Sequence, residues 1–259
     1  MRWTIEAGPV RIRRLEVGPL ENNVYVVACS STGKALLVDA SFDADQIVAG
    51  CADVEVDQLV ATHGHFDHVN AADAVRKALD VPFRIHPLDV TDDICDVPPD
   101  GGLVDGELIQ VGEIEVRVVH TPGHTPGSVT FVVGGHALTG DTLFPGGPGA
   151  TRWDYSSFDE IIGSVRDKLF VLPDETGVHP GHGEPTTIGV ERPSLQEWID
   201  RGWESVEDQS CDLVSRWRGE LLGGPVNFGV TDGFAHRGFQ GVHRCPPILR
   251  WRAGGAVST

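Results

Sequence analysis

Thr62-His63-Gly64-His65-Phe66-Asp67-His68 is the stretch that decides how this chain is read. It places four potential metal donors, His63, His65, Asp67 and His68, within six residues. Imidazole nitrogens and a carboxylate oxygen are donors that suit borderline divalent cations such as zinc. In an extended segment His63 and His65 share a face, whereas Asp67 and His68 need the chain to turn. Upstream, Val56-Asp57-Gln58-Leu59-Val60-Ala61 reads as a buried strand. Downstream, residues 69–79 show helical apolar spacing at Ala71, Ala72, Val75, Ala78 and Leu79. The donors therefore sit on a strand-to-helix loop, where one turn can aim them at two neighbouring points.

A catalytic metal takes about three protein ligands and keeps a position open for water. Four donors in one loop are too many for one such ion and too few for two. Three Gly-rich turns offer more: His124 in Thr121-Pro122-Gly123-His124-Thr125-Pro126-Gly127, Asp141 in Leu138-Thr139-Gly140-Asp141-Thr142-Leu143-Phe144, and His182 in His179-Pro180-Gly181-His182-Gly183. Each lies beside an apolar run, and glycine lets such a loop turn tightly and approach an ion.

The order His-x-His-x-Asp-His, then His, Asp and His, with these flanking turns, resembles the metallo-β-lactamase superfamily. Within it the turns look most like the glyoxalase II branch, the hydroxyacylglutathione hydrolases, in a short form. The resemblance runs from about residue 15 to about residue 203. It implies an α+β fold, the four-layer αββα sandwich, where periodicity alone says mixed α and β. It implies that His63, His65 and His124 bind a first metal, that Asp67, His68 and His182 bind a second, and that Asp141 bridges both. The implied cofactor is a pair of divalent metal ions, zinc first, with iron or manganese as alternatives. The implied reaction is attack of a metal-bridging hydroxide on a thioester, ester or lactone carbonyl, with Asp67 as the catalytic group that orients the hydroxide or receives its proton. Asp39 follows the apolar run 35–38; the resemblance makes it a carboxylate that holds a ligand histidine, where the residues alone also allow a helix N-cap or turn aspartate. His120 and His179 flank ligand turns and either orient a ligand imidazole or are ordinary turn residues. Asn22, Asn23 and Tyr25 resemble the family's first hairpin and carry no assigned chemistry. His86, His136, His236 and His243 are left unassigned.

Glutathione-using members carry a lysine shortly after the Gly-Asp-Thr-Leu-Phe turn. Here Ala150 falls near that position, and Arg152 alone offers a charge, so Arg152 is the candidate substrate-binding residue, an anchor for an anionic group. The family's C-terminal helical domain with basic substrate ligands has no counterpart in this tail. Three alternatives stand beside the thioester hydrolase. A persulfide dioxygenase would use one iron held by His63, His124 and Asp141, and a lactonase would keep the two-metal site. A non-catalytic metal scaffold is disfavoured, because a structural site has no use for open coordination positions.

Composition narrows the setting. The 259 residues suffice for one large domain with a sizeable core. Apolar content of 40% and a mean hydropathy of −0.10 describe a soluble chain, and no run approaches the roughly 18 apolar residues that cross a bilayer. The N-terminus lacks the apolar stretch of a signal peptide. Cys29, Cys51, Cys95, Cys211 and Cys245 are scattered and odd in number, which fits reduced thiols in a cytoplasm. A net charge of −18 disfavours nucleic acid as a partner. The expected partner is a small-molecule thioester or ester, with no nucleic acid, no membrane and a homodimer as an option.

The expected organisation is a metallo-β-lactamase-fold domain over 1–190, C-terminal helices packed on it over 191–222, and a Gly/Pro-rich tail over 223–259, loosely ordered or serving as a lid or contact. Residues 24–28 and 35–38 read as a hairpin, 43–49 as a short helix, 83–85 as a strand and 96–106 as an exposed loop. Residues 108–111 and 114–119 read as a strand pair, and Gly134-Gly135 joins a further hairpin. Ser157 with Glu160 reads as a capping box that opens a helix with Ile161, Ile162, Val165 and Leu169 on one face, and Ser194 with Glu197 as another. That second helix is predicted to run past Trp203, with a further helix over 211–222.

Overall fold

The structure is a computed structural model that describes residues 2–202. Its first sheet has seven strands in sequence order: β1 (Ile5–Ala7), β2 (Val10–Val17), β3 (Asn22–Cys29), β4 (Lys34–Val38), β5 (Glu55–Val60), β6 (Phe83–Ile85) and β7 (Gly101–Gly102). Strands β1 to β4 are antiparallel, and β4 to β7 are parallel. The second sheet contains β8 (Leu108–Val111), β9 (Ile114–His120), β10 (Val129–Val133) and β11 (His136–Gly140). A small hairpin, β12 (Leu143–Phe144) and β13 (Gly147–Pro148), follows, before β14 (Gly177–Pro180) and β15 (Thr186–Thr187) complete the second sheet in the order β15-β14-β11-β10-β9-β8.

Local sequence explains the layers. Every residue of β3, Asn-Asn-Val-Tyr-Val-Val-Ala-Cys, is buried, as expected of a strand covered on both faces. In β9 the alternation is kept, with Ile114, Val116 and Val118 buried and Glu115 and Arg117 exposed. The turn between β10 and β11 is Gly134-Gly135 with φ of 52° and 81°, the positive pair that a tight hairpin with the native twist requires.

Helices α1 (Ala44–Gly50), α2 (Phe66–Val69) and α3 (Ala72–Leu79) cover the outer face of the first sheet, where Ile47, Val69 and Val75 pack with Leu15, Val26 and Leu37. Between the sheets, Ile12, Val27 and Leu36 meet Val116, Phe131 and Leu138. Helix α4 (Phe158–Ser164), a π-helical turn (Val165–Leu169), α5 (Ile188–Glu191) and α6 (Leu195–Arg201) cover the second sheet, with Ile161, Leu169, Ile188 and Trp198 against Leu143 and Val178. These three apolar clusters separate four layers, αββα. The expected Ser157 cap forms, its side chain accepting from Glu160 N at 3.3 Å, and Ile161, Ile162, Val165 and Leu169 are buried.

Some local expectations are corrected. The helix after the ligand stretch is not continuous: α2 begins inside the stretch at Phe66, and α3 starts after a break at Asn70 and Ala71. There Ala71 N donates to Ala40 O at 2.8 Å, which ties the break to the end of β4. Only Leu59 and Val60 of β5 are fully buried. The loop over 96–106 is not wholly exposed, since it contains β7 and the buried Leu103. Ser194 does not cap: its φ of −87° and ψ of −3° belong to a 3-10 turn (Arg192–Ser194) that feeds α6, not to the extended geometry of an N-cap. Helix α6 stops at Gly202, with φ 71°. The helix expected over 211–222 and the tail over 223–259 lie outside the described residues. Among the described residues no helix is long and apolar enough to cross a membrane, and Cys29, Cys51 and Cys95 are free thiols.

Candidate metal centre

Strand direction brings the candidate donors to one edge of the sandwich. β4 and β5 are parallel, so Asp39 and the stretch 62–68 leave the first sheet at the same end. β9, β11 and β14 share a direction, so the turns that carry His124, Asp141 and His182 leave the second sheet together. The sheets are joined at this edge by the Asn22–His182 bridge and by Asn23 N donating to Gly181 O at 2.7 Å. Parallel strands that present side chains at their carboxyl ends are a recurrent way to build a site.

All seven residues converge, in two groups of three with Asp141 between them. His65 Nδ1 is 3.1 Å from His63 Nε2 and 3.0 Å from His124 Nε2. His182 Nε2 is 3.3 Å from His68 Nε2 and 3.2 Å from Asp67 Oδ2. Asp141 Oδ1 lies 3.5 Å from His68 Nε2, while its Oδ2 lies 3.5 Å from His124 Nε2 and 3.8 Å from His182 Nε2.

These contacts fit cations. Ligand nitrogens about 2.0–2.1 Å from a tetrahedral zinc sit about 3.3 Å from one another, near the spacings seen here. Asp141 Oδ1 is buried with no hydrogen-bond partner, a vacancy in bonding that a cation would fill. Gly181 leaves the room: a Cβ there would stand 2.3 Å from Asp141 Oδ1 and 2.6 Å from His68 Cε1.

Each imidazole has its outward nitrogen engaged, which fixes the ring and the nitrogen left for a metal. His63 Nδ1 is 3.1 Å from Thr62 Oγ1, and His68 Nδ1 is 2.9 Å from Asp39 Oδ2. His124 Nδ1 meets Ala150 O at 2.8 Å, and His182 Nδ1 meets Leu20 O at 3.0 Å. His65 Nε2 is 2.9 Å from the Tyr155 hydroxyl. Asp39 is buried, takes a left-handed φ of 64°, and accepts from Thr62 N at 2.7 Å as well as from Thr62 Oγ1. Its reading as a carboxylate that holds a ligand histidine matches this geometry, and the helix-cap reading does not.

The charges differ between the groups. Burial, reinforced by neighbouring histidines, pushes the pKa of His63 well below the usual imidazole value. Burial likewise takes His65 and His124 down to about 3. Neutral imidazoles are the form that ligates metal. At His68 burial opposes charge, but Asp141, Asp67 and Asp39 outweigh it and lift the pKa to about 10. His182 is raised too, with Asp141 and Asp67 overcoming burial. Asp67 is opposed by burial, yet His68, His182 and the Asn22 amide hold its carboxyl well below the usual carboxylate range. The carboxylates of the second group thus favour positive charge at that point, as a cation would supply.

Several residues to which the sequence assigns no chemistry hold the donors or their loops in place. Asn22 Nδ2 donates to Asp67 Oδ2 at 3.0 Å. Asn23 and Tyr25 both donate to Pro180 O, at 3.0 and 2.8 Å, and so fix the turn before His182. Asp89 ties the first ligand loop to the loop of His124. None of these is separated from ordinary polar residues by spacing, and only the Asn-Asn pair opening an otherwise apolar strand is a signal. His120 and His179 do not touch a ligand imidazole: His120 stacks on His86 and bonds Pro126 O, and His179 pairs with His136. Arg152 is exposed near the site, its guanidinium carbon 4.8 Å from the Trp153 ring centre.

Comparison with known proteins gives this edge a context. The Metallo-beta-lactamase superfamily domain matches residues 17–182. The probable metallo-hydrolase YqgX of Bacillus subtilis is 31% identical over 203 residues, covering 70% of this chain and 93% of its own. Hydroxyacylglutathione hydrolase GloC of Haemophilus influenzae is 29% identical over 180 residues, covering 62% of this chain and 85% of its own. Among solved structures, ETHE1 from Myxococcus xanthus superposes with a TM-score of 0.68 at 26% identity, covering 79% of this chain and 94% of its own. TTHA1623, solved in a di-iron-bound form, gives 0.61 at 31% identity, covering 70% and 96%. The match runs from the end of β2 past β14 and takes in all seven donors, and the chain belongs to the metallo-beta-lactamase superfamily.

Proposed function

We propose that this metal-dependent hydrolase holds two divalent ions and cleaves a thioester, with an ester or lactone carbonyl as the close variant. Zinc is the first choice of metal, with iron or manganese as alternatives. His63, His65 and His124 would hold one ion and Asp67, His68 and His182 the other, with Asp141 shared. The observation that carries this reading is Asp141, whose two oxygens face imidazoles of both groups and one of which has no other partner. Such a pair of ions, when bound, supplies a Lewis acid for a carbonyl oxygen and lowers the pKa of a water. The chain's own residues do the rest. Thr62, Asp39, Ala150, Leu20 and Tyr155 keep the five rings turned to the ions, and Asn22 orients Asp67. Asp67, fixed by Asn22 Nδ2 at 3.0 Å, would orient the attacking water or receive its proton. Gly181 keeps the space clear. The similarity to GloC supports a thioester as the substrate class.

The test is elemental analysis of protein purified without added metal or chelator, followed by thioester and lactone panels. About two ions per chain with thioester or lactone turnover supports the reading. The second reading is the mononuclear iron persulfide dioxygenase, which the likeness to ETHE1 from Myxococcus xanthus supports. One iron per chain with oxygen uptake on a persulfide would favour it. Against it, His65 Nδ1 stands 3.1 Å from His63 Nε2 and 3.0 Å from His124 Nε2, nearer to His124 than Asp141 Oδ2 at 3.5 Å, so His65 stands among the donors of that group.

Two substitutions probe the assignment. Asp67→Ala is expected to lose one ion and lower kcat by about 10²-fold or more; near-normal turnover with two ions retained would sink its role. Arg152→Ala is expected to raise KM for an anionic substrate about five- to tenfold with kcat unchanged, the signature of lost uniform binding. An unchanged KM would remove Arg152 as the anchor.

A further inference from the structure

The three-imidazole group is closed on its outer side by a single loop, residues 150–157. Ala150 O holds His124 Nδ1, Ser156 Oγ donates to His124 O at 2.8 Å, and Ser157 N donates to Gly123 O at 2.8 Å. Trp153 lies with its ring centre 4.5 Å from that of His65 and 5.2 Å from that of His124. Tyr155 runs parallel to Trp153, with an interplanar angle of 4° and centroids 6.1 Å apart, and brings its hydroxyl to His65 Nε2.

His65 is the least buried imidazole of its group, and its partner differs from the others. His63 and His68 lean on a buried Thr62–Asp39 network, and His124 and His182 on backbone carbonyls. His65 alone is held by the end of a half-buried side chain on a loop. Its Nδ1 faces His63 and His124, so a metal there needs Nδ1 bare and the proton on Nε2. Nε2–H then donates to the Tyr155 oxygen, and this one bond selects both the tautomer and the ring orientation.

Building on the two-ion reading, we propose that Tyr155 is a positioning residue that sets how tightly the His63–His65–His124 group holds its ion, independently of the Asp67–His68–His182 group. Tyr155 meets His65 and Trp153, both on the side of the three-imidazole group, so the effect falls on one of the two ions. The Trp153 stack keeps the ring in place when the hydroxyl is removed, which makes Tyr155→Phe a clean change.

The experiment is chelator competition on wild type, Tyr155→Phe, Asp67→Ala and the double variant, with released zinc counted, and NMR of the histidine ring protons in the zinc-loaded proteins. The expected result is that Tyr155→Phe releases one of two ions at about 10- to 100-fold lower chelator and leaves the other as in wild type. In the Asp67→Ala background the single remaining ion is weakened by the same factor, and the His65 Nε2–H resonance moves or is lost to exchange. Wild-type retention of both ions by Tyr155→Phe, or equal weakening of both, overturns the proposal while leaving the two-ion reading intact. A wild-type chain that holds one ion sinks the two-ion reading instead; Tyr155 keeps its role only if Tyr155→Phe still weakens that ion.

Discussion

Asp141→Asn is expected to lower kcat/KM by about 10³-fold or more and to leave fewer than two ions per chain, with the far-ultraviolet circular dichroism unchanged. The substitution keeps the shape and removes the charge. Asp141 leaves the end of β11, and its two oxygens stand 3.5 Å from His68 Nε2 and 3.5 Å from His124 Nε2, one imidazole from each group. A carboxylate can offer one oxygen to each of two cations; an amide offers one oxygen and an NH2 that repels the second. With two ions bound as proposed, loss of the anion would also leave less negative charge between them, so the cost would reach both sites. The 10³ factor corresponds to about 4 kcal/mol of transition-state stabilisation, in the range of several kcal/mol that metal polarisation supplies. Elemental analysis and steady-state kinetics on one preparation check it. Turnover within a few-fold of wild type, with two ions retained, would remove Asp141 from the centre of the site.

The seven donors were legible in the sequence because each type and each spacing has a chemical meaning that survives without a fold. Four donors in one stretch and single donors in Gly-rich turns are residue types that a divalent cation takes, and the resemblance to a family supplies their division into two groups. The strands and hairpins were legible for a related reason: alternation in 114–119 and the Gly134-Gly135 turn are local signals that the tertiary structure keeps. What could not be read is what depends on pairing between distant segments. The break at Asn70 and Ala71 comes from a backbone bond to Ala40, across the gap to β4. Ser194 has the right neighbours for a cap but is caught in a preceding 3-10 turn. His120 and His179 sit next to the donor turns yet meet other histidines, His86 and His136, on neighbouring segments. Conversely, Asn22, Tyr155 and Asp89 serve ligands or ligand loops through contacts across 45, 90 and 25 or more residues, and nothing in their own neighbourhoods announces it.

Asp89 supports the other large effect. It closes the short turn Pro87–Asp89 after β6 and is fully buried. Its Oδ2 accepts from Gly64 N at 2.8 Å and from Thr125 Oγ1 at 2.7 Å, and its Oδ1 accepts from Gly127 N at 2.6 Å. Gly64 lies between His63 and His65, and Thr125 follows His124, so one carboxylate spans the two loops that carry the three-imidazole group. The approach is close enough that a Cβ on Gly127 would stand 2.6 Å from Asp89 Oδ1. Burial raises the Asp89 pKa, with the Thr125, Gly64 and Gly127 bonds pulling against it. Asp89→Ala leaves two buried backbone N–H groups without their acceptor, at about 1–3 kcal/mol each, while the Thr125 hydroxyl keeps Ser128 Oγ at 2.7 Å. A net loss of about 4 kcal/mol is expected, which lowers Tm by about 8–16 °C in a domain of this size. Asp89→Asn does not restore it, because its NH2 must face a donor on one side or the other. Thermal unfolding of both variants with chelator present separates the brace from ligation. A full Tm loss without metal makes Asp89 a support of the loops themselves, whereas a loss confined to the zinc-loaded protein assigns its effect to the ion, and an unchanged Tm in both states refutes the prediction.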